Sequence, residues 1–299
     1  MIHRIHWISA SVGIACLGLM ATGCSDSSPQ REAEAVAIET ADAAEVETVA
    51  AVEVAAIEVS AETQARIDAF TADAVKSLKR SGDFLAGQQQ YSFEADVFYD
   101  VLQPNGQMLE FGGTRDVLIR RPDRLRAEAV DRDGDVMQLF FDGQSILIDM
   151  PNEDAYMKAE KPGTLYAALD YLVEDLGAPA PLEDFASENF AADALRTIES
   201  GYYVEHVRLD DQVCEQLAFR THEVDFQIWI RDGEEPLPCR LVITYKQAEG
   251  HPQFTAQFSH WDLSPEVDDE MFSFTPPESA ERLQIQALAG ELRDQLEGK

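Results

Sequence analysis

An α+β fold built on one large curved antiparallel sheet is what the sequence predicts, and three observations predict it. From Tyr91 onward, apolar residues recur with a period of two in five separate stretches, the signature of strands with one buried face. Asn-Gly and Asp-Gly pairs punctuate those stretches and supply the positive φ angles that tight hairpins need. Helical periodicity appears in one segment ahead of the strands, a short region among them and a short tail after them. A meander of about ten strands has to curl or close, because wide twisted sheets do not stay flat.

The chain opens with Arg4 and an apolar run from Trp7 to Met20. The run is shorter than the roughly 20 residues a membrane span needs, so it reads as a secretory signal, residues 1–23. Ala21-Thr22-Gly23-Cys24 then places small residues ahead of a cysteine. The tetrapeptide resembles the lipobox of bacterial lipoproteins, and the resemblance implies that Cys24 is acylated and becomes the mature N-terminus. Ala21 departs from the usual Leu. Ser25 after the cysteine resembles an outer-membrane address. These features place the chain in the bacterial cell envelope on the periplasmic side, with the membrane as a partner through the N-terminal lipid.

Residues 24–61 are a low-complexity Ala/Glu/Val segment without aromatic residues and with charge almost entirely of one sign, read as a disordered tether. About 38 such residues reach roughly 35 Å as a coil, and self-repulsion lengthens that. The other reading is a partner-binding segment.

The folded domain, 62–280, starts with a helix placing Ile67, Phe70, Ala74, Leu78 and Phe84 near one face, with Ser81-Gly82 loosening its end. "YSFEADVFYDV", "LRAEAV", "FQIWI", "LVITY" and "FTAQF" follow as strands, with turns at Asn105-Gly106, Asp133-Gly134, Asp142-Gly143, Asp210-Asp211 and Asp232-Gly233. "GTLYAALDYLVEDLG" interrupts them as a helix with Leu165, Leu169, Leu172 and Leu176 on one side, and "LEDFASENFAADAL" adds a shorter helical piece. Leu288, Leu292 and Leu296 suggest a short helical tail over 281–299.

With 299 residues and 45% hydrophobic content the chain can bury one substantial core. Its formal net charge of -33 excludes a nucleic-acid partner, which needs a basic face, and discourages broad docking on anionic lipid. Once Cys16 leaves with the signal and Cys24 takes lipid, Cys214 and Cys239 remain. In an oxidising compartment an even remainder reads as one disulfide, the other reading being two buried thiols. Cys239 is in phase with Leu241 whereas Cys214 is out of phase with Leu217, so a bulge or unpaired strand ends must bring the pair together.

The catalytic motifs searched for are missing from the sequence. His206, His222, His251 and His260 form no HExxH and no close pair at metal spacing, and neither GxSxG, a phosphate-cradling glycine loop nor CxxC occurs. No catalytic residue, metal or cofactor is therefore assigned. "HEVD" (His222, Glu223, Asp225) reads as a solvated turn, and "RRPDRLR" (Arg120, Arg121, Arg124, Arg126) as a local basic patch. Trp229 and Trp261 fall opposite the apolar stripes of their strands, where packing under an outer helix explains them.

"SLKRSGDFLAGQQQYSFEADVFYDVLQPNGQMLEFGGTRDVLIRRPDRLRAE", "FFDGQSILIDMPNEDAYMKAEKPGTLYAALDYL", "LAFRTHEVDFQIWIRDGEEPLPCRLVITYK" and "FSFTPP" resemble a family of predicted periplasmic proteins of unknown function. That family is similar in architecture to the LolA/LolB lipoprotein carriers and the sensor RseB. The resemblance implies a half-open β-barrel with helices covering the concave face over an apolar cavity. The alternating positions that face such a cavity are Phe93, Val97, Phe111, Ile119 and Leu125, then Phe141 and Ile148. Phe226, Ile228, Ile243 and Phe258 continue the wall, with Tyr166, Leu169 and Leu172 on a lid helix. A non-enzymatic binding protein for an acyl chain, lipid or lipoprotein follows by fold analogy. A polypeptide-binding sensor or envelope-assembly partner, a hydrolase with a dispersed site, and a purely structural lipoprotein are the other readings.

Overall fold

The computed structural model describes residues 61–175 and 182–283. The signal segment 1–23, Cys24, the tether up to residue 60, Leu176 and the tail from 284 lie outside the described residues.

Helix α1 (Ala61–Ala86) comes first. Ala74, Leu78, Ser81 and Leu85 form its buried stripe, the i, i+4, i+7, i+11 spacing of one helical face. Ser81-Gly82 does not loosen the helix, which runs on to Ala86. A Cβ at Gly82 would stand 2.2 Å from Ala191 Cβ, so the glycine permits a close helix crossing.

Six strands follow: β1 (Gln90–Leu102), β2 (Met108–Arg120), β3 (Arg124–Asp131), β4 (Val136–Phe141), β5 (Ser145–Met150) and β6 (Ala155–Glu160). Then come α2 (Leu165–Asp170), prolonged by a wider turn over Tyr171–Asp175, a 3-10 turn at Glu183–Ala186, and α3 (Phe190–Leu195). Thr164 caps α2 by accepting from the Ala167 amide, the usual role of a threonine at that position. Five further strands follow, β7 (Ser200–Leu209), β8 (Gln212–Arg220), β9 (Val224–Arg231), β10 (Pro238–Tyr245) and β11 (Gln253–Asp262), and then a short β12 (Glu281–Arg282).

The twelve strands of the described residues lie in one sheet, ordered β12-β6-β5-β4-β3-β2-β1-β11-β10-β9-β8-β7. β1 pairs with β11, joining a β1–β6 wing to a β7–β11 wing, and the sheet stays open because β12 and β7 are its free edges. The pairing is antiparallel except for β12 on β6, which is parallel. Each sequence-predicted turn joins two strands; glycines 106, 134, 143 and 233 have positive φ, and Asp210 takes that role itself at φ 50°.

The helices cover one face. α1 lies against β7, β8 and β9, and the buried apolar residues of α1, α2 and α3 share a single core with those of the strands. On the opposite, convex face a smaller cluster gathers Cys214, Trp229, Cys239 and Val242. Phe140 is also buried, stacked on Phe274 with centroids 5.3 Å apart.

Two bulges decide which face several residues take. On β10, Pro238 opposes Ile230 and Arg240 opposes Trp229, so Cys239 is the extra residue of a bulge. The bulge removes the parity conflict: Cys214 and Cys239 form a disulfide with Cα atoms 6.9 Å apart. β11 carries an extra residue between Ser259 and Asp262, the partners of Glu94 and Ser92 on β1, with His260 at φ 51°. That slip turns Trp261 onto the concave face, where its ring meets Phe93 at 4.7 Å and its Nε1 donates to the Pro238 carbonyl. Trp261 is thus a core residue of the helix side, contrary to its phase, whereas Trp229 sits beside the disulfide with the Arg240 guanidinium 5.6 Å from its ring.

Candidate apolar site on the concave face

Strand parity and depth together define the site. Phe93, Val97, Ile119, Leu125, Phe141 and Ile148 are buried on the β1–β5 wing, and Phe226, Ile228, Ile243 and Phe258 on β9–β11. They form one cluster with Leu169 and Leu172. The cross-strand register lines them up: Ile119 opposes Leu125, and Leu125 opposes Phe141, while Phe219, Phe226 and Ile243 make a second row. Alternation fixes these positions because the side-chain period of a strand is two.

Two predicted wall residues are not in that buried wall. Phe111 is 43% exposed. It opposes Tyr99 and stacks on it at 6.1 Å, so it has the predicted face but lies toward the far end of β2, beyond the depth the helices cover. Tyr166 is 40% exposed; at 100° per residue it is turned away from its buried neighbours Leu165 and Leu169.

The apolar face extends past the helices. Val117, Ala127 and Leu139 form a row across β2–β4 that is only partly buried, and Met137, opposite Ala129, is 46% exposed. Together with Tyr99 and Phe111 they make an apolar mouth on the β1–β4 wing. One ion pair interrupts it, Arg115 to Asp131 at 3.0 Å. Phe111 was predicted for the wall, whereas Val117, Ala127, Leu139 and Met137 went unassigned, because parity carries no information about cover.

The remaining sequence candidates resolve into structural roles. Asp225 of "HEVD" is clamped by Arg220 at 2.8 Å and Lys246 at 3.2 Å, and the Arg220 hydrogen bonds hold its carboxyl below the usual carboxylate range. The basic run is not one patch. Arg120 pairs with Asp269, Arg124 pairs with Asp123, and Arg121 is buried. The Arg121 Nε donates to the Gln88 carbonyl, Nη1 to the Ala186 carbonyl and Nη2 to the Tyr91 hydroxyl.

Among the described residues, no helix is long and apolar enough to cross a membrane. A family of predicted periplasmic proteins, DUF2092, matches residues 74–286. Among curated proteins none matches the chain. Among solved structures it is similar to LprF from Mycobacterium bovis, at 12% identity and TM-score 0.43, over 70% of this chain and 98% of that one. It is also similar to the lipoprotein LppX of Mycobacterium tuberculosis, at 12% identity and TM-score 0.42, over 66% and 99%. A LolA superfamily protein from Nitrosomonas europaea is similar at 11% identity and TM-score 0.32, over 67% and 97%.

Proposed function

The chain belongs to the DUF2092 family of predicted periplasmic proteins, and from that premise we propose that it is a membrane-tethered envelope lipoprotein that binds an acyl chain, a lipid or a lipoprotein on its concave apolar face, without catalysing a reaction. One observation carries this reading: the apolar wall behind α2 continues into the half-covered mouth of Val117, Leu139, Met137 and Phe111. Apolar surface of that extent on a water-facing rim is costly to leave bare, at roughly 25 cal/mol per Å², and contiguous patches of this kind mark binding sites. A hydrocarbon chain entering there meets carbon throughout, and the Arg115–Asp131 pair at the rim offers a polar partner to a headgroup.

The lid prediction separates a cavity from a solid core. In a cavity, Leu169→Phe fills ligand space, so displacement of a fluorescent fatty-acid probe shows weakened binding while the melting temperature stays near that of the wild type. In a solid core the same change overpacks and costs about 1–3 kcal/mol. A lowered melting temperature with unchanged probe binding overturns the cavity.

Anchoring rests on Cys24, outside the described residues, with the outer membrane as the proposed site. Stable attachment needs two acyl chains or more, which the triacyl modification of bacterial lipoproteins supplies. Metabolic labelling with a palmitate analogue is expected to mark the wild type and not Cys24→Ser; an unlabelled wild type contradicts the anchor.

A further inference from the structure

On the opposite wing of the sheet from the apolar mouth, three residues remote from one another in sequence converge. His206 of β7 stands directly opposite Glu215 of β8, and Glu215 opposes Ile230 of β9. Asp232 follows Ile230 by two residues and therefore keeps to the same side of the sheet. A register slip on β7 between Tyr203 and Glu205 puts both Tyr203 and His206 on that side, although they stand three positions apart; bulges re-aim side chains in this way beside functional sites.

The donor atoms are spaced for a metal ion. His206 Nε2 lies 4.0 Å from Glu215 Oε1 and 3.9 Å from Asp232 Oδ2, and the three donors lie within 4.8 Å of one another. Three atoms about 4 Å apart share a centre roughly 2.3–2.5 Å from each, and a small inward movement reaches the roughly 2.0–2.2 Å of zinc–nitrogen and zinc–carboxylate bonds. His206 and Asp232 are exposed and can make that movement, while Glu215 is buried and held.

The surroundings suit a cation. Arg80 of α1 binds Glu215 through Oε2 at 2.6 Å, which orients the carboxylate and leaves Oε1 turned toward the histidine. The Tyr203 hydroxyl lies 3.3 Å from Glu215 Oε1 and 3.1 Å from either ring nitrogen of His206. The hydroxyl donates to Glu215 Oε1 and so links the carboxylate to the imidazole, an outer-shell contact of the kind that orients metal-binding side chains. Beside the cluster is a recess of about 240 Å³ lined by Asp73, Lys76, Ser77, Arg80, Tyr203 and Glu215. It leaves room for water, or for the carboxylate or phosphate of a small anion, in the remaining coordination positions.

We propose that His206, Glu215 and Asp232 form a binding site for a divalent transition-metal cation of the zinc class, cross-linking β7, β8 and the β9–β10 turn. One nitrogen with two carboxylate oxygens is a donor set such ions accept. The cation adds to the charge of Arg80 in offsetting the two carboxylates.

The test is calorimetric titration of the full-length protein with zinc chloride near neutral pH, after stripping with EDTA and exchange into a non-chelating buffer. One saturable zinc site per chain is expected. His206→Ala and Asp232→Asn each weaken it by more than about tenfold, with melting temperatures in EDTA unchanged because both side chains are exposed. His260→Ala, which removes a ring paired with Glu94 at 3.1 Å, leaves the affinity as it is. Absence of saturable binding, or equal binding by wild type, His206→Ala and Asp232→Asn, overturns the proposal.

Discussion

Arg121→Met is expected to destabilise the fold by about 2–4 kcal/mol, read as a lower urea midpoint at unchanged slope. The guanidinium ties together three parts of the concave side: the Gln88 carbonyl just after α1, Tyr91 of β1, and the Ala186 carbonyl of the 3-10 turn. Methionine fills much of the space and relieves the desolvation of a buried charge, yet it leaves two carbonyls without their donor. Each such loss costs about 1–3 kcal/mol, so the loss outweighs the relief. The Tyr91 hydroxyl donates onward to the Phe185 carbonyl at 2.6 Å. Burial pushes its pKa up to about 12, against a smaller opposing pull from Arg121, so this donor keeps its proton across the range in which the protein is handled. Tyr91→Phe is accordingly expected to cost less, about 1 kcal/mol. A midpoint for Arg121→Met within 0.5 kcal/mol of wild type, about the noise for neutral surface changes, contradicts the role assigned to this arginine.

Removing the disulfide by Cys214→Ala with Cys239→Ala is expected to cost about 3 kcal/mol, the chain-entropy value for a loop of 25 residues. The bridge joins β8 to β10 across β9 on the convex face, with Trp229, Val242 and the side chains of Val207 and Leu209 packed around it. The alanines also remove buried sulfur from that small cluster, so the entropic figure is a floor. Alkylation of the non-reduced protein followed by peptide mass mapping checks the premise: both cysteines are expected to resist the reagent, and labelling of both contradicts it.

Arg121 also shows how far the sequence can be read. It is in phase with Val117 and Ile119, so alternation already pointed it inward, but its charge and three arginine neighbours suggested a surface patch. Parity outweighed composition because α1, β1 and the 3-10 turn supply acceptors that no local pattern displays. Four of the five hairpin turns were legible because Asn-Gly and Asp-Gly carry their geometry locally, and the fifth because aspartate tolerates the same left-handed backbone, as Asp210 does. The out-of-phase cysteines called for a bulge or unpaired strand ends without saying which, and the bulge at Trp261 left no sign at all, since a bulge inserts one residue without a compositional mark and reverses everything on one side of it. His206 and Glu215 occupy a middle ground. Each is four residues from the Asp210-Asp211 turn, so pairing across that hairpin predicts their contact, whereas a search for local metal motifs passes over it. Gly82 carried a misleading signal: a glycine late in a helical pattern resembles a terminus, and only α3 on the other side reveals a crossing.

The central claim is that the concave apolar face holds a hydrocarbon ligand, and its most direct test needs no detergent. Cys24→Ser protein, released into the periplasm and purified without detergent, is to be weighed by native mass spectrometry and its organic extract identified. The account predicts one lipid or fatty acyl adduct per chain, lost when Leu169→Phe is added. A bare chain mass, or a bound polypeptide with no lipid, contradicts it; the second result assigns the protein to sensing or assembly instead.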